Sequence, residues 1–218
     1  MKTPPSAVLF DFDGTLIDSA TSVLASLQHA LTREACTPKV TLGPHLIGPP
    51  LRRTLATLVG SDDTALIDRL AQRFREHYDS EGYRATEVFD GVPELLAALR
   101  AAEVDLYIVT NKRVAATRQI LTHLGWLDFF VGVYALDAFD PPLPHKPAVV
   151  DTVLKRHAIP RESGWMVGDS EEDQRAAELN SLRFFAARWG YGAVANAAER
   201  VQPAQLLQAL GLSSAAHL

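Results

Sequence analysis

The chain has 218 residues, of which 47% are hydrophobic and 22% charged, and its net charge is -5 at pH 7. This balance is typical of a folded protein with a substantial core and argues against disorder. The negative charge, with no segment rich in Lys and Arg, argues against nucleic acid or an anionic membrane as partner and favours a small molecule.

Cellular location is inferred from what the sequence lacks. Cys36 has no second cysteine to pair with, and the first residues lack the apolar segment of a signal peptide. No apolar run reaches the roughly 18 residues needed to cross a membrane. We therefore expect a cytoplasmic protein. We also expect a monomer or a homodimer, and fraying of the segment after Gly211.

The first predicted element is a strand, AVLF, which is followed by the acidic turn DFDGT. Side chains two apart on extended backbone share a face, so Asp11 and Asp13 should project towards a common point, with Phe12 pointing away. Two carboxylates about 4 Å apart repel by roughly 4 kcal/mol at an effective dielectric near 20. Positive charge is therefore expected beside them, unless the segment is simply a solvated turn.

The next ninety or so residues show no convincing strand pattern. They carry helical patterns instead, the first capped by Ser19 or Ser22. Its apolar positions are Val23, Leu27, Ala30 and Leu31, and further amphipathic stretches run from Leu51 to Val59 and from Thr64 to Tyr83. We interpret residues 18–88 as a helical domain inserted on two linkers, the second of which ends near Gly91 and Pro93.

Strands and helices alternate after the insertion. The predicted strands are residues 104–110, 130–136, 164–169 and 183–187, and helical patterns run from Val92 to Ala102 and from Ala115 to Leu124. Such alternation is typical of a parallel sheet with helices on its faces. A further helix is expected to start near Ala148.

Polar side chains follow several of these strands, where open α/β sheets bind their ligands. They are Asp11 and Asp13, then Thr110-Asn111-Lys112, then Asp169, Ser170 and Asp173, with Lys146 ahead of the helix near Ala148. Clustered carboxylates suit Mg²⁺, while a hydroxyl, an ammonium and backbone N–H groups suit a phosphate. The pattern indicates phosphoryl transfer. Asp173 as a helix-start acid and Lys146 as a solvated loop lysine remain alternatives.

Four motifs in order, DFDGTLIDS, IVTNK, HKP and VGDSEED, make the whole chain resemble the haloacid dehalogenase (HAD) superfamily, in particular its phosphatases similar to phosphoglycolate phosphatase. The resemblance implies a Rossmann-like, three-layer core with a parallel sheet, formed by residues 1–17 and 89–218. Residues 18–88 would be an all-helical cap.

The resemblance also implies residue roles. Asp11 would attack phosphorus to form an aspartyl-phosphate, while Asp13 would protonate the leaving group and then activate water. Asp11, Asp169 and the backbone carbonyl of Asp13 would bind Mg²⁺. Thr110, the Asn111 backbone and Lys146 would contact the phosphoryl group, and Asp173, with Ser170 beside it, would hold Lys146 or a metal-bound water.

The substrate is expected to be a small phosphorylated metabolite, such as phosphoglycolate or a sugar phosphate. In the segment HLIGPPLRRTL, Gly48 and Arg52 are candidates for substrate specificity, although a solvated pair of arginines explains Arg52 and Arg53 as well. A sugar-phosphate mutase, an inorganic pyrophosphatase and a phosphate-binding regulatory protein without activity remain open. A dehalogenase is disfavoured because it would have no use for Asp13 or a metal, and a phosphonate hydrolase because residues 42–60 contain no lysine.

Overall fold

Six parallel strands form one sheet in the computed structural model, which describes residues 5–192, 194 and 197–211. The strands are β1 (Ala7–Phe10), β4 (Asp105–Thr110), β5 (Gly132–Ala135), β6 (Gly164–Gly168), β7 (Arg183–Ala187) and β8 (Arg200–Val201). Their order in the sheet is β5-β4-β1-β6-β7-β8. Five of them, all except β8, lie within the apolar runs predicted as strands. The predicted parallel α/β fold is confirmed. The expected fraying after Gly211 lies outside the described residues.

Strand β1 lies in the middle of this sheet. Phe10 pairs with Ile108 of β4 on one side and with Val167 of β6 on the other. All four residues of β1 are buried, as expected for a strand covered on both faces. Since the three strands run parallel and in register, the residues that follow them leave the sheet at one edge.

Helices lie between these strands along the chain, and the last helix follows β8. They are α4 (Val92–Ala101), α5 (Val114–His123), α6 (Lys146–Arg156), α7 (Glu171–Leu179) and α8 (Pro203–Ala209). Residues of β1, β4, α6 and α7 share a core cluster that includes Leu9, Val109, Val150 and Ala176. Within the described part of the chain, no helix is both long and apolar enough to cross a membrane.

The chain divides into two compact units, one formed by Met1–Ile17 with Val88–Leu218 and the other by Asp18–Glu87. The second unit contains α1 (Ala20–Arg33), α2 (Leu51–Val59) and α3 (Thr64–Ser80). At the ends of this insertion, β2 (Ile17–Asp18) and β3 (Glu87–Val88) form a two-stranded sheet. The expectation of no strand in this interval was wrong, because strands of two residues leave no periodic pattern to detect.

Three local predictions also need correction. The Ala20 N–H at the start of α1 bonds the carboxylate of Asp18, at 3.0 Å, whereas the side chain of Ser19 makes no capping bond. The buried face of α1 includes Ser22 and Ser26 instead of Val23, since both hydroxyls bond backbone carbonyls of the preceding turn. Helix α6 begins at Lys146, two residues before Ala148, because the His145 side chain caps it.

Candidate active site

Two buried aspartates follow β1. Asp11 is 3% exposed and Asp13 is 7% exposed, and Phe12 between them is fully buried. The Asp11 N–H still bonds the Val167 carbonyl of the neighbouring strand at 2.9 Å, so the sheet fixes its backbone. Gly14 then turns the chain with φ +83°, and a Cβ at this position would lie 2.3 Å from a carboxylate oxygen of Asp169. The turn and the Asp169 side chain are therefore in close contact, which only glycine permits.

Lys146 joins two of the predicted site residues. Its Nζ donates to Asp11 Oδ1 at 3.0 Å and to Asp173 Oδ1 at 2.6 Å, and its side chain is 2% exposed. Burial lowers the pKa of Lys146, but the charges of Asp11 and Asp173 outweigh burial and raise it above its ordinary value. Lys146 is therefore a buried, charged ammonium, and a solvated loop lysine is excluded.

Asp173 has two sets of partners. Its Oδ2 accepts bonds from the Ser170 N–H at 3.1 Å and the Ser170 hydroxyl at 2.6 Å. The Asp173 N–H in turn donates to Ser170 Oγ at 3.3 Å, which closes a capping box at the start of α7. Its Oδ1 faces Lys146. Asp173 thus belongs to the helix cap through one oxygen and contacts Lys146 through the other.

Asp169 is held by a segment that the sequence analysis did not assign to the site. The backbone N–H groups of Tyr191 and Gly192 both donate to Asp169 Oδ2 at 2.9 Å. The Thr15 hydroxyl approaches Oδ1 at 3.4 Å, and Trp189 Nε1 donates to the Thr15 carbonyl at 2.8 Å. A Cβ on Gly192 would lie 2.0 Å from the Asp169 carbonyl oxygen. The glycines of RWGYG were the available signal, because they mark close backbone approach.

The structure gathers three carboxylates within reach of one ion. Asp11, Asp169 and Asp173 each offer an oxygen, and these oxygens all lie within 4.8 Å of one another. Burial and neighbouring carboxylates raise the pKa of Asp11 well above its usual range, although Lys146 opposes the rise. Burial and Asp173 likewise raise the pKa of Asp169 to about 6, against the lowering by the N–H groups that it accepts. Three carboxylates supply hard oxygen donors, and the Lys146 ammonium balances only part of their charge, so the group fits a divalent cation.

Asp13 has a different partner from the residues of this group. Its carboxylate is not among the three, and it accepts bonds from Lys112 Nζ at 2.8 Å and 3.1 Å, one to each oxygen. The positive charge expected beside the two aspartates is therefore supplied by two lysines, Lys146 and Lys112. Lys112 was predicted at this sheet edge, two residues after β4, but was given no role.

Thr110 and Asn111 follow β4. The Thr110 hydroxyl accepts the Lys112 N–H at 3.1 Å, and Asn111 Nδ2 donates to Glu172 Oε2 at 2.7 Å. Thr110 is buried, at 2% exposure. These contacts fix the turn after the strand and tie it to the first turn of α7.

The two candidate specificity residues lie in the inserted unit. Gly48 adopts φ +107°, and Arg52, near the start of α2, forms an ion pair with Asp68 of α3. The side chains of Arg52 and Asp68 are 54% and 63% exposed. Such an exposed pair adds little stability, so the structure gives Arg52 no strong structural role.

A model of the haloacid dehalogenase-like hydrolase family matches residues 8–187. The chain belongs to this family. A crystal structure of a predicted phosphatase from Clostridium acetobutylicum superposes with a TM-score of 0.85 at 26% identity, covering 96% of this chain and all of that one.

Three curated relatives show which activities occur among similar chains. The tyrosine-protein kinase PtkA of Mycobacterium tuberculosis is 34% identical over 189 residues, or 86% of this chain, which spans only 64% of that kinase. A 5'-nucleotidase of Pseudomonas aeruginosa is 31% identical, over 85% of this chain and 83% of its own. A phosphoglycolate phosphatase of Xanthomonas campestris is 33% identical, over 86% and 85%. The hydrolase family is as predicted, and the predicted phosphoric monoester hydrolase class agrees with the last two names.

Proposed function

We propose that this protein is a Mg²⁺-dependent phosphatase that hydrolyses a small phosphorylated metabolite through an aspartyl-phosphate on Asp11. The observation that carries the proposal is the environment of Asp11, a buried carboxylate that contacts the Lys146 ammonium at 3.0 Å and lies beside Asp169 and Asp173. An ammonium and a cation site around one buried carboxylate suit transfer of a highly charged group.

In the first step an oxygen of Asp11 forms a bond to phosphorus while the bond from phosphorus to the substrate alcohol breaks. The electron pair of that bond stays on the alcohol oxygen, which takes a proton from Asp13. In the second step Asp13 takes a proton from a water molecule, whose oxygen forms a bond to phosphorus while the bond from phosphorus to Asp11 breaks, which releases inorganic phosphate and the Asp11 carboxylate. One difficult displacement is thereby replaced by two easier ones.

Other residues of the same edge have supporting roles in this proposal. Thr110 and the Asn111 backbone bind the transferring phosphoryl oxygens, and Lys146 balances their charge. Asp11, Asp169 and the Asp13 carbonyl would hold Mg²⁺, and Asp173 holds Lys146 in place. When bound, the ion neutralises charge on the phosphoryl oxygens.

The test is phosphate release from a panel of phosphomonoesters with and without Mg²⁺, beside Asp11→Asn. The panel includes phosphoglycolate, sugar phosphates and nucleoside monophosphates, and Lys155→Met is the matched control because that lysine is 72% exposed. We expect Mg²⁺-dependent release that Asp11→Asn abolishes and Lys155→Met preserves. Turnover by a folded Asp11→Asn protein at the wild-type rate would sink the proposal.

The same panel separates the remaining alternatives. Pyrophosphate tests for an inorganic pyrophosphatase, and isomerised sugar phosphate without net phosphate release would indicate a mutase. Binding of phosphorylated compounds without any turnover would indicate a regulatory protein. ATP with a tyrosine peptide is included because of the relative named a kinase.

A further inference from the structure

We propose that Lys112 is a positioning residue that holds the Asp13 carboxylate in the orientation needed for proton transfer. The inference rests on the phosphatase function proposed above, in which Asp13 exchanges protons with the leaving alcohol and with water. Lys112 itself touches no reacting atom in this proposal and acts through Asp13.

The contact is two-fold and largely shielded from water. Lys112 Nζ lies 2.8 Å from Asp13 Oδ1 and 3.1 Å from Asp13 Oδ2, and both side chains are 9% exposed. Exposed ion pairs contribute little, but a shielded pair with both oxygens engaged restrains rotation of the carboxylate. Asp13 must lie at hydrogen-bond distance from the group with which it exchanges a proton, and this restraint holds its carboxylate in one orientation for the transfer.

The fold delivers Lys112 to this place. Phe10 of β1 pairs with Ile108 of β4, so Asp13 and Lys112 leave neighbouring strands at the same edge, three and four residues beyond this pair. The Lys112 N–H bonds the Thr110 hydroxyl at 3.1 Å, which fixes the backbone from which the side chain extends. The position of the ammonium is therefore set by the turn after β4.

Lys146 does not serve Asp13 in this arrangement. Its Nζ contacts Asp11 and Asp173, whereas Lys112 contacts Asp13. Each of the two aspartates after β1 thus has its own lysine. The division matches two separate requirements, charge balance at the nucleophile and orientation of the proton carrier.

The experiment compares two substrates in Lys112→Met. One is an alkyl phosphate, whose alkoxide leaves only with a proton, and the other is an activated aryl phosphate, whose phenolate leaves without one. We measure kcat/KM, which reports the step in which the leaving group departs. We expect kcat/KM for the alkyl ester to fall by about 10²-fold, while that for the aryl ester changes little.

Two further readouts separate positioning from a merely structural role. For the aryl ester kcat should still fall, because Asp13 also activates water in the second step, so KM should fall with it. Lys112→Arg, which keeps the charge, should recover part of the alkyl activity. Thermal unfolding of Lys112→Met and Lys112→Arg checks that both are folded, and Lys155→Met is the control for loss of a lysine.

Equal losses of kcat/KM on both esters in the folded variants, or no loss on either, would overturn the assignment of Lys112. Failure of the underlying function looks different, because then the wild-type protein would hydrolyse neither ester or Asp11→Asn would retain turnover. That result overturns both proposals.

Discussion

The two carboxylate oxygens of Asp173 have different partners, and this difference can be tested. Oδ2 caps α7 through Ser170, and Oδ1 contacts Lys146 at 2.6 Å. The proposed function depends on the second contact alone. Stability and activity should therefore respond differently to changes at the two residues.

Ser170→Ala removes the capping hydroxyl but leaves the Asp173 contact with Lys146. We expect a loss of about 1 kcal/mol in the free energy of unfolding, measured with denaturant, and nearly unchanged kcat. Asp173→Asn leaves Lys146 with one fewer negative partner and should lower kcat strongly. Similar kcat values for the two variants would mean that Asp173 is only a helix cap.

At the level of elements, the segment from Trp189 to Gly192 fixes Asp169 through backbone groups. The N–H groups of Tyr191 and Gly192 donate to the Asp169 carboxylate. The backbone lies so close to Asp169 that neither Gly190 nor Gly192 has room for a Cβ. Groups that orient a metal ligand are expected to affect metal affinity as well as turnover.

Gly192→Ala should lower Mg²⁺ affinity by about 10-fold or more, measured by calorimetry without substrate, because the new Cβ displaces the segment from Asp169. Gly125→Ala is the control, since a Cβ there meets no atom within 4 Å although φ is +70°. If Gly192→Ala binds Mg²⁺ as tightly as Gly125→Ala does, the segment has no part in shaping the metal site.

Sequence patterns predicted the long elements of the main sheet well and the short ones poorly. AVLF, GWMVG and RFFAA are strands because continuous apolar runs between turns suit a sheet buried on both faces. Strands β2, β3 and β8 have two residues each, and the chain context that pairs them is invisible in a local pattern. Helix α6 begins at Lys146 and not near Ala148 because the His145 side chain caps it, and histidine is not among the residues preferred at this position.

In the candidate site, too, sequence patterns predicted some features and left others undetected. Strand ends predicted which carboxylates share an edge, since that follows from topology. A contact between Asp173 and Lys146 was expected. The contacts of Lys146 with Asp11 and of Lys112 with Asp13 did not follow, because they depend on the three-dimensional arrangement of the turns after the strands. Likewise, backbone donors such as those of Tyr191 and Gly192 carry no side-chain signal.

At the scale of the whole molecule, the chain combines a main unit that carries the candidate site with an inserted helical unit. We propose, as the family resemblance implies, that the inserted unit acts as a cap and selects the substrate. In the proposed function the motifs of the main unit bind the phosphate, so substrate choice should depend on residues of the inserted unit such as Arg52.

Arg52→Ala should raise KM for an acidic substrate, meaning one whose leaving group carries a carboxylate, more than for an aryl phosphate whose leaving group carries no charged substituent. The reason is that an arginine binds carboxylates. Asp68→Ala removes the ion-pair partner of Arg52 and keeps the arginine, so it should not raise KM for the acidic substrate. Arg53→Ala is the control for loss of a neighbouring cation. A uniform change across both substrates would remove Arg52 from the specificity argument.

The most direct measurement is to look for the covalent intermediate. The enzyme is mixed with Mg²⁺ and its best substrate from the panel, quenched with acid within the first turnover, and analysed by intact mass and peptide mapping. The account predicts one added phosphoryl group, located on Asp11, sensitive to hydroxylamine and absent from Asp11→Asn. A rapidly turning-over enzyme with no phosphoryl group on any residue, or with one elsewhere than Asp11, would contradict it.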